Sequence, residues 1–132
     1  HIDFIRPELP YRGEYGLFRY KAAEYGFIER YKKDKKAFTG IAPEPWHFRY
    51  VGYPHSKIMT ERDMCLEEYV KFIKNFSETD VFGYQNATAD IEIFFKEAKG
   101  DETELTFNDT DCFQISGNNS DGFIITKWRY KA

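Results

Sequence analysis

Between Cys65 and Asn86 the chain changes its hydrophobic period. "CLEEYVKFIKNF" (Cys65–Phe76) sets Leu66, Tyr69, Val70, Ile73 and Phe76 at steps of three and four, an apolar stripe along one side of a helix. "SETDVFGYQN" (Ser77–Asn86) breaks the stripe and is read as a connector. Beyond it apolar residues recur at every second position, as on a half-buried strand. The runs are "DIEIFF" (Asp90–Phe95), "TELTF" (Thr103–Phe107), "CFQIS" (Cys112–Ser116) and "FIITKWRY" (Phe123–Tyr130). The charged "KEAKGDE" (Lys96–Glu102) and the turn-rich "GNNSDG" (Gly117–Gly122) separate them. The spacing therefore predicts two parts: a mixed portion over 1–78 and a small antiparallel β module over 81–132.

The first portion alternates in kind. Two prolines keep "IRPELPY" (Ile5–Tyr11) extended. From Gly13 to Tyr25, Leu17, Phe18, Lys21, Ala22 and Tyr25 fall at near-helical spacing, and Gly26 is a natural stop. "FIERY" (Phe27–Tyr31) and "WHFRYV" (Trp46–Val51) predict strands, and "PHSKIM" (Pro54–Met59) a single helical turn. In the second strand Trp46, Phe48 and Tyr50 share one face, which is expected to be core for Trp46 and Tyr50, and His47, Arg49 and Val51 share the other. The fold class is α+β: an antiparallel sheet with packed helices, followed by the β module. With 132 residues, 42% of them hydrophobic and 19% aromatic, the chain can bury a core.

A net charge of −3 argues against a general nucleic-acid binder, whose affinity rests on clustered Lys and Arg. Lys32-Lys33-Asp34-Lys35-Lys36 is read as a solvated loop, with contact to an anionic polymer as the lesser alternative. No window approaches the ~18 consecutive apolar residues of a membrane span, and no signal peptide is visible. Beginning at His1 rather than Met, the chain is expected to be processed or partial. Cys65 and Cys112, far apart and in no CxxC spacing, are expected to be free thiols.

The chemistry-bearing stretch is "APEPWHFRYVGYPH" (Ala42–His55), with Glu44 three residues before His47. A zinc peptidase needs a few His, Asp, Glu or Cys ligands, an open position for water, and a general base. Glu44 and His47 suit a base and a ligand side by side. By spacing alone, a core histidine and a surface glutamate are the better reading. The surrounding letters carry more: "EPWHFRYVG", preceded by "YGFIERY" and followed by "PHSKIM" and "CLEEYVKFI", resembles the LAS-family (peptidase M15) zinc D,D-carboxypeptidases and D,D-dipeptidases of the VanY and VanXY type. The resemblance covers roughly residues 2–76, the C-terminal half of that catalytic domain.

The resemblance implies Zn2+ as cofactor, His47 as a zinc ligand and Glu44 as catalytic base. It implies substrates that are peptidoglycan precursors ending in D-Ala-D-Ala, and a link to vancomycin resistance. The family's other two ligands lie in an S-x-H-x-x-G-x-A-x-D motif that this chain lacks; His1, Asp3 and His55 are the donors left, and none has the matching context. Of these, His55 is expected to be a surface residue or one behind the ligands. Three explanations stay open: the rest of a larger enzyme, a second chain completing the zinc site, or a degenerate relative without activity. Arg49 and Arg30 are candidates for the substrate's terminal carboxylate, because guanidinium suits carboxylates, and Tyr53 for the cleft mouth. For a carboxypeptidase the cell envelope outside the membrane is expected; for a bifunctional dipeptidase, the cytoplasm. The rival reading is a catalytically incomplete cell-wall or partner-binding module.

Overall fold

The computed structural model of the protein describes Leu9, residues 12–108 and residues 112–132. The extended reading of Ile5–Tyr11 lies outside these residues apart from Leu9, as do His1 and Asp3. The fold is α+β with two antiparallel sheets, as the periodicity predicts. The chain divides into two compact units, His1–Tyr69 and Val70–Ala132.

In the first unit α1 (Gly13–Lys21) passes into a 3-10 turn (Ala22–Tyr25), which Gly26 ends at φ 92° by donating to the carbonyls of Ala22 and Ala23. The turn is buried at Ala22 and Ala23, whereas α1 buries no residue and leaves Leu17 and Phe18 exposed. Strand β1 (Phe27–Tyr31) pairs antiparallel with β2 (Glu44–Tyr50) in a two-stranded sheet. The Gly26 carbonyl accepts from the N–H groups of Val51 and Gly52 at 2.8 and 3.1 Å, tying the end of β2 to the start of β1. A side chain on Gly26 would meet the Tyr50 ring at 2.5 Å. A 3-10 turn (Lys33–Lys35) and α2 (Lys36–Thr39) fill the connection. The basic run there is mostly exposed, but Lys35 is buried, with its Nζ 2.9 Å from Glu68. The expectation of a wholly solvated loop fails at that one residue, because Glu68 supplies the partner a buried ammonium needs.

Helix α3 (His55–Glu61) is longer than the expected single turn, and α4 (Leu66–Ile73) is shorter than the stripe suggested. The Cys65 N–H donates to the Glu68 carboxylate at 3.1 Å, satisfying a helix-end donor. Cys65 and Cys112 are both free thiols.

The second unit centres on a four-stranded antiparallel sheet in the order β3-β4-β6-β5, with β3 (Phe82–Gln85), β4 (Ala89–Glu97), β5 (Cys112–Gly117) and β6 (Gly122–Tyr130). Ile91 pairs with Trp128 and Ile93 with Thr126, and Ile91, Ile93, Phe94 and Ile125 are almost fully buried. The rings of Phe72, Phe76 and Phe82 cluster at centroid distances of 5.2–5.3 Å. Two expectations are corrected. The supposed connector contains β3, a four-residue edge strand whose glycine hides its period. "TELTF" alternates half-buried and exposed residues as predicted but is no strand; Phe107 instead stacks on Phe113 at 3.7 Å. Among the described residues no helix is long and apolar enough to cross a membrane.

Candidate active site

Glu44 opens β2, and Pro45 follows it without a backbone N–H to give to a ladder. The pairing slips at this point: Glu29 lies opposite Phe48, yet Tyr31, two residues on, lies opposite Glu44, four residues back. The extra residues bulge out of β2 opposite Arg30. In a regular strand residues three apart point to opposite faces. The bulge removes that constraint, and Glu44 Oε2 sits 2.9 Å from His47 Nδ1. With the Glu44 carboxylate as acceptor, the His47 Nδ1–H is the donor of this contact. Both side chains are reachable from solvent, at 42% exposure for His47 and 31% for Glu44.

Arg19 holds the bulge. Its guanidinium pairs with Glu29 at 2.6 Å, donates to the Leu9 carbonyl at 2.9 Å and to the Pro45 carbonyl, and lies over the Phe48 ring. Nothing in the spacing of the sequence singles out Arg19; its partners are distant in the chain and are joined only by the fold. On the other side, Tyr31 stands nearly perpendicular to His47, with ring centroids 5.1 Å apart and planes at 84°. The Arg30 guanidinium lies over the Tyr31 ring at 4.6 Å and donates to Glu67 at 2.9 Å.

The structure brings some candidates together and separates others. Glu44 and His47 meet. Arg49, two positions beyond His47 on β2, is exposed and makes no ion pair among the described residues. Arg30 is already engaged by Glu67. Tyr53 is half-buried and joined to Pro54 by a cis bond. Tyr50 is corrected from core to surface at 64% exposure, and Trp46 is half-buried, because a sheet of two strands does not enclose that face. His55 is not on the surface. It is buried, hydrogen-bonded to the Tyr69 hydroxyl at 2.6 Å, and burial lowers its pKa to about 4. The same burial raises the Tyr69 pKa. A cavity of about 150 Å³ lined by Arg19, Glu29, Phe48 and Met64, among others, includes neither Glu44 nor His47.

An imidazole and a carboxylate in contact are donors of the kind zinc takes, and a carboxylate in such a pair is of the kind that accepts a proton from water. They fit zinc in kind but fall short in number. Among the described residues no three His, Cys, Asp or Glu side chains cluster as a metal site.

Known proteins repeat this arrangement of sequence. The family model for VanY, D-alanyl-D-alanine carboxypeptidase, matches residues 12–53. A D-alanyl-D-alanine carboxypeptidase of Enterococcus faecium is 43% identical over 105 residues, 80% of this chain and 33% of that protein. The bifunctional D-Ala-D-Ala dipeptidase and D-Ala-D-Ala carboxypeptidase VanXYC of Enterococcus gallinarum is 46% identical over 71 residues, 54% of this chain and 37% of its own length. The crystal structure of the vancomycin resistance D,D-dipeptidase VanXYg, in complex with a D-Ala-D-Ala phosphinate analog, superposes with a TM-score of 0.91 at 52% identity. That match covers 98% of this chain and 52% of the solved one. The chain thus spans about a third of the length of these curated relatives and about half of the solved chain.

Proposed function

The chain belongs to the VanY/VanXY-type family of LAS D,D-carboxypeptidases and D,D-dipeptidases, and on that premise we propose that it is the C-terminal part of a zinc D,D-peptidase. The substrates are peptidoglycan precursors ending in D-Ala-D-Ala, the ending named for the relatives above. Removing it links the enzyme to vancomycin resistance, as in VanXYg. The observation that carries this reading is the Glu44–His47 contact at 2.9 Å, made by a bulge inside the stretch that the family model matches.

In this reading Glu44 is the general base. It takes the proton of the attacking water and returns it to the leaving amine, so neither a Ser nor a Cys nucleophile is required. His47 is one ligand of the zinc, whose chemistry when bound is to polarise the scissile carbonyl and acidify water. The other ligands come from outside the described residues, on the same polypeptide or on another chain. Arg49 is the guanidinium with room for the substrate's terminal carboxylate. Arg30 is the second candidate, and a substrate there displaces Glu67. Tyr53 lines the mouth. We assign 1–78 to the peptidase and 81–132 to the β module; the Ser77–Asp80 bridge closes the turn between them. We place the whole enzyme in the cell envelope outside the membrane, with the cytoplasm as the site of a dipeptidase.

One observation favours a second reading: the incomplete donor set among the described residues suits a catalytically incomplete relative that binds cell wall or a partner. Elemental analysis for zinc, run beside D-alanine release from a D-Ala-D-Ala-ended peptide, separates the two. Stoichiometric zinc with release supports the peptidase. No zinc and no release from the full-length protein supports the binding module.

A further inference from the structure

We propose that Tyr31 is a positioning residue for His47, and that Arg30 acts through Tyr31. The inference rests on the reading that His47 is a metal ligand. Because β2 bulges, Tyr31 lies opposite Glu44 in the register while its ring meets the His47 imidazole at 5.1 Å and 84°. One residue therefore pairs with the base in the strand register and meets the ligand through its ring. His47 is 42% exposed, and among the described residues two contacts hold its ring: the Glu44 carboxylate at Nδ1 and the nearly perpendicular Tyr31 ring. A perpendicular aromatic pair has a preferred geometry, which an aliphatic neighbour lacks.

Tyr31 is held in turn. The Arg30 guanidinium covers its ring at 4.6 Å, and Glu67, in the first turn of α4, takes the guanidinium at 2.9 Å. Arg30 is largely buried, at 12% side-chain exposure, which suits a supporting role. The array Glu67–Arg30–Tyr31–His47–Glu44 runs from a helix to the site. Groups that orient a metal ligand from behind set the metal affinity, because a ligand already in its bound rotamer loses less freedom on binding.

The test compares Tyr31→Phe, which keeps the ring, with Tyr31→Leu, which removes it. Two readouts follow His47 by NMR in the full-length protein: the side-chain couplings that report its χ1 rotamer, and its ring resonances during a Zn2+ titration. In the wild type and Tyr31→Phe, His47 holds one rotamer and the Zn2+ dissociation constants agree. In Tyr31→Leu the rotamers average and Zn2+ binds about tenfold more weakly. A Tyr31→Leu protein with wild-type far-UV circular dichroism, one His47 rotamer and unchanged Zn2+ binding overturns the proposal. If Tyr31→Leu does not fold, the wild-type couplings decide: averaged rotamers there overturn it equally. Zn2+ that moves no His47 resonance in the wild type contradicts the ligand role assigned under the proposed function. The couplings still report whether Tyr31 holds the ring.

Discussion

His47 and Glu44 are three residues apart on a strand, a spacing that would normally face them in opposite directions. Their contact depends on Pro45 and the slip in pairing beside it. The residue types and their spacing were visible in the sequence; the bulge that makes them neighbours was not, because it depends on where Tyr31 pairs across the sheet. Arg19 was invisible for the same reason. Gly26 was legible as a stop, and its φ of 92° and the Tyr50 ring over it explain why. Gly26→Ala is expected to cost about 2 kcal/mol or more, from a left-handed Cβ and a crowded ring, measured by urea denaturation. His55 gives a pH signature. Burial lowers its pKa to about 4 in the folded protein, below the unfolded value of 6.5. Between these values the unfolded chain binds a proton that the folded chain does not, so stability is full above pH 6.5 and falls as pH drops toward 4. About 2 kcal/mol is lost between pH 7 and pH 5 through this group, and His55→Gln removes that part of the slope in urea titrations at the two pH values.

The amphipathic stripe of α4 was the clearest feature of the sequence, and Tyr69 and Ile73 are buried as it requires. Its start depends on Glu68, which accepts from the Cys65 N–H and pairs with the buried Lys35. Glu68→Ala is expected to cost about 1–2 kcal/mol by thermal or urea melting, from a lost cap and a stranded ammonium. Elements that were misread had weak local signals. Phe82–Gln85 is short, contains a glycine and is defined as β3 only by its pairing with β4. Thr103–Phe107 has the alternation of a strand without a ladder, and alternation reports burial on one side rather than hydrogen bonding. Helix α1, by contrast, forms where its helical spacing predicts, although it buries none of its own residues.

On the scale of the molecule, the switch from helical to alternating period announced an α+β chain with an all-β second portion, and the structure has that composition. The family was legible in a linked string of motifs rather than in any single residue, and the 52% identity to VanXYg over nearly the whole chain agrees with it. The proposed metal site was legible only in part. His47 and Glu44 lie in the motif string, and among the described residues no cluster of three or more His, Cys, Asp or Glu side chains forms around them. Stripping metal from the full-length protein with a chelator is expected to abolish D-alanine release, and Zn2+ to restore it. Loss that Zn2+ does not reverse would point away from a metallopeptidase. The most direct test of the account is the turnover of a D-Ala-D-Ala-ended peptide by full-length wild type and Glu44→Gln, with zinc measured in each. The account predicts equal zinc and a rate about a thousandfold lower in the variant, the scale of a lost general base. Equal rates in the two proteins would contradict it.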